Sequence, residues 1–437
     1  DVTGNSGNTT TKDFIYAALH KNIVAEEGDT LVLARKTSIN SDSGVPLTIL
    51  NLESGWTSFS LWLRIIINGF IKIFDKYEYK YLVLEIGADG PGDIQKICKY
   101  IKPDIAVLTA FAEVPVHIEF FDNDREKLIR EKRYLIENIK KGGTFIYNLD
   151  DKDCVKIAEE MQEKFLLEGK DISLRSFSLH KDTADILAKD IKVSVNKNDI
   201  FASPTGMEAK IISKNKTFGL DMQGVLGEAA VYSLLPALLI AEELGVDIEK
   251  AKSDIENSKR TNGRMRILKG VHNSTIVDDT YNASPKAMQH GITMMKNISS
   301  KGKKIFVLGD MLELGEYTKV EHEKIGVLVK DSCDILVTSG IRAKIIAESA
   351  IKSGMNGENV FVTSSSIEAG REVLRILEGE VEAGFKEGKN ENEIGGDLIF
   401  VKGSQGSRME RVVKMILAES HDSNIDLVRQ DKMWKMR

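Results

Sequence analysis

Cysteine is scarce: Cys98, Cys154 and Cys333 are the only three in 437 residues, and they lie far apart, without metal-like pairing. That excludes a disulfide framework and a cysteine-built zinc site, and it points to buried thiols in a reducing, cytoplasmic setting. A charge excess is missing too. Lys and Arg number 60 against 66 Asp and Glu, with no basic stripe, which argues against nucleic acid as a partner. No apolar run is long enough to span a bilayer. Residues 59–74 come nearest, but Arg64, Asn68 and Lys72 recur at every fourth position and make one polar stripe. The stretch therefore reads as an amphipathic helix packed on a sheet, with no membrane insertion. No signal-peptide pattern is read in the opening residues either. Only Asp1 and Val2 precede the first glycine-rich stretch, so the opening strand reads as cut and earlier residues as missing.

What is present begins at once. Thr3-Gly4-Asn5-Ser6-Gly7-Asn8-Thr9-Thr10-Thr11-Lys12 sets two glycines three apart ahead of a threonine cluster. Glycines let backbone N–H groups close round an anion, a following helix offers more free N–H groups, and a threonine hydroxyl can hold Mg²⁺. An ordinary loop and N-cap would look similar. The spacing is shorter than in the standard nucleotide loop, and Asn8 stands where a lysine belongs.

The length allows two or three domains. Leu31 to Ala34 reads as a strand, followed by a loop with Asn40 and a turn at residues 44–48. The apolar run of residues 81–85 ends in Glu85 as a buried parallel strand would, and Asp93 should cap a helix reaching Tyr100. Further strands are expected at 105–109 and 144–148, with the loop bearing His117 and a helix over 125–139 between them. This alternation predicts a doubly wound α/β sheet, whose ligands gather at strand carboxyl ends. Glu85, His117 and Thr9 fall there, and together could complete the shell of a Mg²⁺ ion. A solvent-facing carboxylate and a structural histidine are the plainer alternatives.

Short strands are expected at 191–195 and 210–213, then a long helix over 228–244. A second α/β unit begins near Gly263, with strands at 274–277, 304–308, 335–337, 360–362 and 398–401. Polar or glycine-rich clusters follow three of these, at residues 278–285, 309–315 and 402–409, where a ligand crevice belongs. Residues 380–396 read as an exposed insertion, and the polar tail from His421 has no evident place in the fold.

These motifs carry a resemblance. Thr-Gly-x-x-Gly-x-Thr-Thr-Thr, the run Leu84-Glu85-Ile86-Gly87-Ala88 with Pro91-Gly92, and His117-x-Glu119 resemble the central domain of the Mur ligase family. Residues 278–285, 309–315 and 402–409 resemble its C-terminal domain, and these runs are of the MurF type. The likeness spans residues 3–417, and it implies that the family's N-terminal domain, which binds the uridine end of the substrate, is not among these residues. It implies a central P-loop-type ATPase domain with a mostly parallel sheet over 1–263, a Rossmann-like α/β domain over 264–420 and a polar tail over 421–437. It further implies ATP and Mg²⁺, with UDP-MurNAc-tripeptide and D-Ala-D-Ala as substrates of a monomeric ligase. By position, Gly4, Asn5, Ser6, Gly7, Thr9 and Thr10 would hold the phosphates, with Asn8 at the lysine's place. Thr9, Glu85 and His117 would serve the metal. Arg264, Asp279, Tyr281 and Asn282 would hold the nucleotide from the C-terminal side. Lys402, Ser404 and Arg408 would face the reacting ends, and Lys132 is the nearest match to the family's carbamylated lysine.

Three positions depart from the family. Asn8 replaces the loop lysine, Ala110 stands in place of asparagine, and the helix near residues 229–233 lacks the His-Asn pair used around adenine. A weakened or inactive relic therefore stays open, as does a folylpolyglutamate synthase-like ligase.

Overall fold

The computed structural model describes the chain apart from residues 27, 35–43, 53–58, 73, 75–77, 215, 432–433 and 435–437, so the loop around Asn40 lies outside the described residues. The first half is built on β1 (Val2–Thr3), β2 (Val32–Ala34), β3 (Tyr81–Val83), β4 (Ile105–Leu108), β5 (Thr144–Asn148), β6 (Ser173–Ser178), β7 (Ile186–Val195), β8 (Pro204–Ser213) and β9 (Lys216–Gln223). These run in the order β1-β4-β5-β6-β7-β8-β9, with β2 and β3 as a separate parallel pair. The pair joins the sheet where Val2 bridges Glu85 in parallel, through Val2 N to Leu84 O at 2.8 Å and Ile86 N to Val2 O at 2.9 Å. The opening strand, short as it is, is thus central. Its Val2 is fully buried between the helices Asn8–Leu19 and Glu228–Glu243, which cover one face.

The second half holds β10 (Arg266–Lys269), β11 (Thr275–Asp279), β12 (Lys304–Gly309), β13 (Ile335–Ser339), β14 (Val360–Thr363) and β15 (Leu398–Lys402), ordered β10-β11-β15-β12-β13-β14. Only β10 runs antiparallel to its neighbour. The fully apolar middles of β12 and β15 suit strands buried on both faces by helices. The architecture is mixed α/β: a mostly parallel sheet followed by a separate C-terminal sheet.

Several expectations change. Residues 44–48 form a helix, Gly44–Ile49, with Pro46 in the first turn, where its missing N–H costs nothing. The helix Phe59–Lys72 exists but does not pack its apolar side on a sheet: Ile66 and Phe70 are each 64% exposed and Phe74 78%. The expected strands at 191–195 and 210–213 lengthen into a meander of β7, β8 and β9 with register shifts in β7. The helix after Gly92 ends at Ile97. Asp93 accepts from Asp89 N and Gly90 N, and Glu131 instead serves the helix start, taking Gly92 N at 2.8 Å and Ile94 N at 2.7 Å. Part of the expected insertion at 380–396 is the end of the helix Ser366–Lys386, whose Gly384 packs on Ile394. The tail is docked: Ser423–Asp426 is a short helix and Leu427 is buried in the C-terminal core.

Candidate active site

The loop at residues 4–7 leaves β1 and turns into the helix Asn8–Leu19. Two glycines make the turn possible. Gly7 has φ 83°, and a Cβ on Gly4 would lie 2.0 Å from Thr109 Oγ1. Asn8 does not project from this turn. Its Nδ2 donates to Gly4 O at 2.8 Å and its Oδ1 accepts from Thr109 Oγ1 at 2.8 Å, so the carboxamide clamps loop and β4 end together. Asn5 N donates to Ala110 O at 2.8 Å, which extends that clamp. Ser233 approaches from the helix Glu228–Glu243, its Oγ 3.5 Å from Gly7 O.

Because β3, β1 and β4 are neighbours, their carboxyl ends meet. Thr9 Oγ1 donates to Glu85 Oε1 at 3.0 Å, both residues being buried. Lys132 lies beside them, buried on the helix Arg125–Glu137. Burial pushes its ammonium down to about 8, against the opposing pull of Glu85, Glu131 and Asp89. His117, at φ 71°, is turned elsewhere: its Nδ1 lies 2.8 Å from Glu313 Oε2, in the second half, and its Nε2 is 4.0 Å from Asp89 Oδ1. The imidazole beside Glu313 holds that carboxyl below its ordinary range. Thr10 sits on the same first turn, half-buried, and Lys12 one turn on is buried against Asp13 at 3.0 Å.

A buried hydroxyl and carboxylate beside a phosphate loop suit Mg²⁺, which takes hard oxygen donors and keeps further places for phosphate oxygens and water. Among the described residues no group of three His, Cys, Asp or Glu side chains could hold a metal unaided. Thr9 and Glu85 fit the ion; His117 faces Glu313 instead.

In the second half β11, β15 and β12 are adjacent although Thr275 and Leu398 are far apart in sequence. Register pairs Asp279 with Lys402 and Leu308 with Lys402, so the clusters at 278–285, 309–315 and 402–409 converge. Lys402, 1% exposed, donates to Asp279 Oδ2 at 2.6 Å and to Asn282 O at 2.9 Å. Burial lowers its basicity while Asp279 opposes that. The other Asp279 oxygen accepts from Met265 N at 3.2 Å. Arg264 lies over the Tyr281 ring at 4.0 Å, its Nε buried without a hydrogen-bond partner. Asn282 Oδ1 accepts from Ala283 N at 2.9 Å. Ser404 Oγ donates to Ala283 O at 3.3 Å and accepts from Leu312 N at 2.9 Å, locking all three loops. Arg408, in the left-handed region at φ 54°, is held by Glu410 through Nε at 2.6 Å, while its Nη1 is buried without a hydrogen-bond partner.

Sequence reasoning missed Asp278, Thr109, Glu313 and Glu410 as members of this site. Asp278 is fully buried with Oδ2 unpartnered, and burial pushes its carboxyl up to about 6 against the Thr280 hydrogen bonds. Asp278 and Glu313 stood inside singled-out runs and could have been found; Glu410, just past one, gave no signal of its own.

Residues 2–241 match the family described as "Mur ligase middle domain" and residues 263–405 that described as "Mur ligase, glutamate ligase domain". The UDP-N-acetylmuramoyl-tripeptide–D-alanyl-D-alanine ligase of Bacillus subtilis is 27% identical over 419 residues, covering 95% of this chain and 75% of that protein. The MurF ligase of Thermotoga maritima in complex with ADP superposes with a TM-score of 0.66 at 23% identity, covering 95% of this chain and 78% of that one. Folylpolyglutamate synthase of Mycobacterium tuberculosis, complexed with ADP and AMPPCP, shares the fold at a TM-score of 0.61 and 12% identity, over 93% of this chain and 88% of that one.

Proposed function

The chain belongs to the Mur ligase family, and from that premise we propose that it is an ATP-dependent amide-bond ligase adding D-Ala-D-Ala to UDP-N-acetylmuramoyl-tripeptide through an acyl phosphate. The observation that carries this is the buried Thr9–Glu85 pair at the mouth of the loop formed by residues 4–7. The likeness to the D-alanyl-D-alanine ligase of B. subtilis supports the substrates.

The tripeptide carboxylate attacks the γ-phosphorus of ATP, forming the acyl phosphate and releasing ADP. The D-Ala-D-Ala amine then attacks the acyl carbon, phosphate leaves, and the amine gives up a proton. Loop amides and the N-terminus of the helix Asn8–Leu19 bind phosphate oxygens. Thr9 and Glu85 would hold Mg²⁺, which supplies neutralisation of developing phosphate charge. Lys402 and Asp279 fix the turn that carries Tyr281 and Asn282, with Arg264 stacked against it, for the nucleotide. Positioning and charge neutralisation do most of the work in such a transfer. Lys132, a buried amine near Glu85, suits carbamylation, which would turn a cation into an anion beside the metal place.

On this reading residues 1–263 and 264–420 are the two working halves of a cytoplasmic, monomeric enzyme. Its turnover is slow, because Asn8 offers the phosphates no cation. A catalytically weakened relic is the second reading, favoured by Asn8 spending its side chain on Gly4 and Thr109. Phosphate release with muramyl tripeptide and D-Ala-D-Ala together, against each alone and against a folate substrate with glutamate, tests the assignment. Release only with the folate pair overturns it, and none with either pair supports the relic.

A further inference from the structure

Past the helix Glu410–Ile416 the chain does not leave the molecule. Ala418 N donates to Lys269 O at 3.0 Å, and Lys269 N donates to His421 Nε2 at 3.1 Å. Asp426 pairs with Arg266 at 2.8 Å and Asn262 donates to Leu427 O at 3.3 Å. The segment thereby delivers Arg429 to the underside of the nucleotide turn. Arg429 itself sits at φ 56°, a conformation that a non-glycine residue keeps only when its surroundings fix it.

Its side chain is 5% exposed, with the guanidinium 5.9 Å from the centre of the Trp434 ring. Nε and Nη2 donate to Glu410 Oε2 at 3.1 and 2.9 Å, Nη1 donates to Tyr281 O at 3.0 Å, and Nη2 also donates to Thr280 O. Glu410 is completely buried and gives its other oxygen to Arg408. One buried carboxylate therefore stands between an arginine from the 402–409 cluster and an arginine from the tail. The guanidinium also favours the charged form of Asp278, whose Oδ2 is buried without a hydrogen-bond partner. The planar fork of arginine suits this set of acceptors; a point-charge ammonium does not.

We propose that Arg429 is a positioning residue of the nucleotide site, bracing from the C-terminal segment the turn that carries Asp279, Tyr281 and Asn282 and fixing Arg408 through Glu410. The proposal rests on the reading that this turn holds nucleotide. Without Arg429 the carbonyls of Thr280 and Tyr281 lose their donor, Glu410 keeps one cation of two, and both the ring under Arg264 and the Arg408 fork lose a fixed place.

The test is calorimetry of Mg²⁺-ADP binding to the full chain, to Arg429→Ala and to Arg429→Lys, with thermal melting alongside. Arg429→Ala is expected to weaken ADP binding roughly tenfold, and Arg429→Lys to recover only part of it, since an ammonium keeps the charge and three donors but lacks the fork that reaches the carbonyls and the carboxylate from separate nitrogens. Parental affinity in Arg429→Ala overturns the proposal. If Arg429→Ala does not fold, parental affinity in Arg429→Lys overturns it, as does a parent that binds no ADP. Phosphate release by the unvaried chain is measured in parallel. Failure there with both muramyl substrates counts against the ligase reading and leaves the ADP comparison to judge Arg429.

Discussion

Asn8 has two jobs competing for one side chain. A lysine there would extend to the β- and γ-phosphates, whereas the carboxamide is folded back to Gly4 O and Thr109. A preorganised cation or donor at a phosphoryl-transfer site contributes roughly 2.7–4 kcal/mol. Asn8→Lys is therefore expected to raise phosphate release about a hundredfold or more while ADP affinity, set chiefly by loop amides and Mg²⁺, changes little. Equal rates in the two proteins would show that another cation serves the γ-phosphate. Lys132 gives a second residue-level expectation. With burial lowering its ammonium to about 8, Lys132 loses its proton largely between pH 7 and pH 9, well below the range of an ordinary lysine. At fixed dissolved CO₂, a ¹³C carbamate signal should grow from pH 7 to pH 9 and vanish in Lys132→Arg. A signal flat with pH would remove the link to this amine's protonation. Glu85 and Thr9 were legible as partners because strand ends and helix starts can be read from local pattern. The Asp279–Lys402 pair was not, since its members lie 123 residues apart and only sheet order joins them.

Elements were legible where apolar runs were pure and obscure where they were not. β12, β13 and β15 announce themselves, while β6, Ser-Leu-Arg-Ser-Phe-Ser, hides its buried positions among hydroxyls and an arginine that pairs with Asp185 and Glu242. Periodicity identified the helix Phe59–Lys72 but not what its apolar side meets, because a moment gives a direction and no neighbour. Leu63, Ile66, Ile67 and Phe70 remain exposed. Replacing Ile67 and Phe70 with glutamate should lower binding of a hydrophobic dye while shifting stability by no more than about 0.5 kcal/mol per site, as for surface positions. A loss of several degrees in the melting temperature would mean that these side chains are packed after all. At the phosphate loop the opposite holds. Gly4→Ala is expected to abolish ADP binding and lower the melting temperature, because its Cβ would strike Thr109 and the φ of 152° disfavours any side chain. Retained ADP binding would show that the turn can relax around a methyl group.

Among the described residues the two halves meet through polar links such as His117 with Glu313, Lys286 Nζ to Phe111 O at 3.4 Å, Asn262 Nδ2 to Leu427 O at 3.3 Å and the antiparallel bridge of Val225 with Arg266, and through Met207 and Leu226 packed into the C-terminal core. His117 and Glu313 are each about one-third exposed, so solvent screens them. A double-mutant cycle on the pair should return only about 0.2–1 kcal/mol, and a coupling above about 2 kcal/mol would contradict that picture. The order of the second sheet has a consequence in time. β15 is inserted between β11 and β12, so those strands stay unpaired along their shared edges until residue 402 has emerged from the ribosome. Lys402 arrives on that same strand, and Asp279 has no ammonium to meet before it does. A chain broken off in translation after β12 and before β15 presents two open strand edges and an unpaired carboxylate together. Quality-control machinery that reads exposed edges would find the unfinished protein by the feature that leaves its nucleotide turn unbuilt.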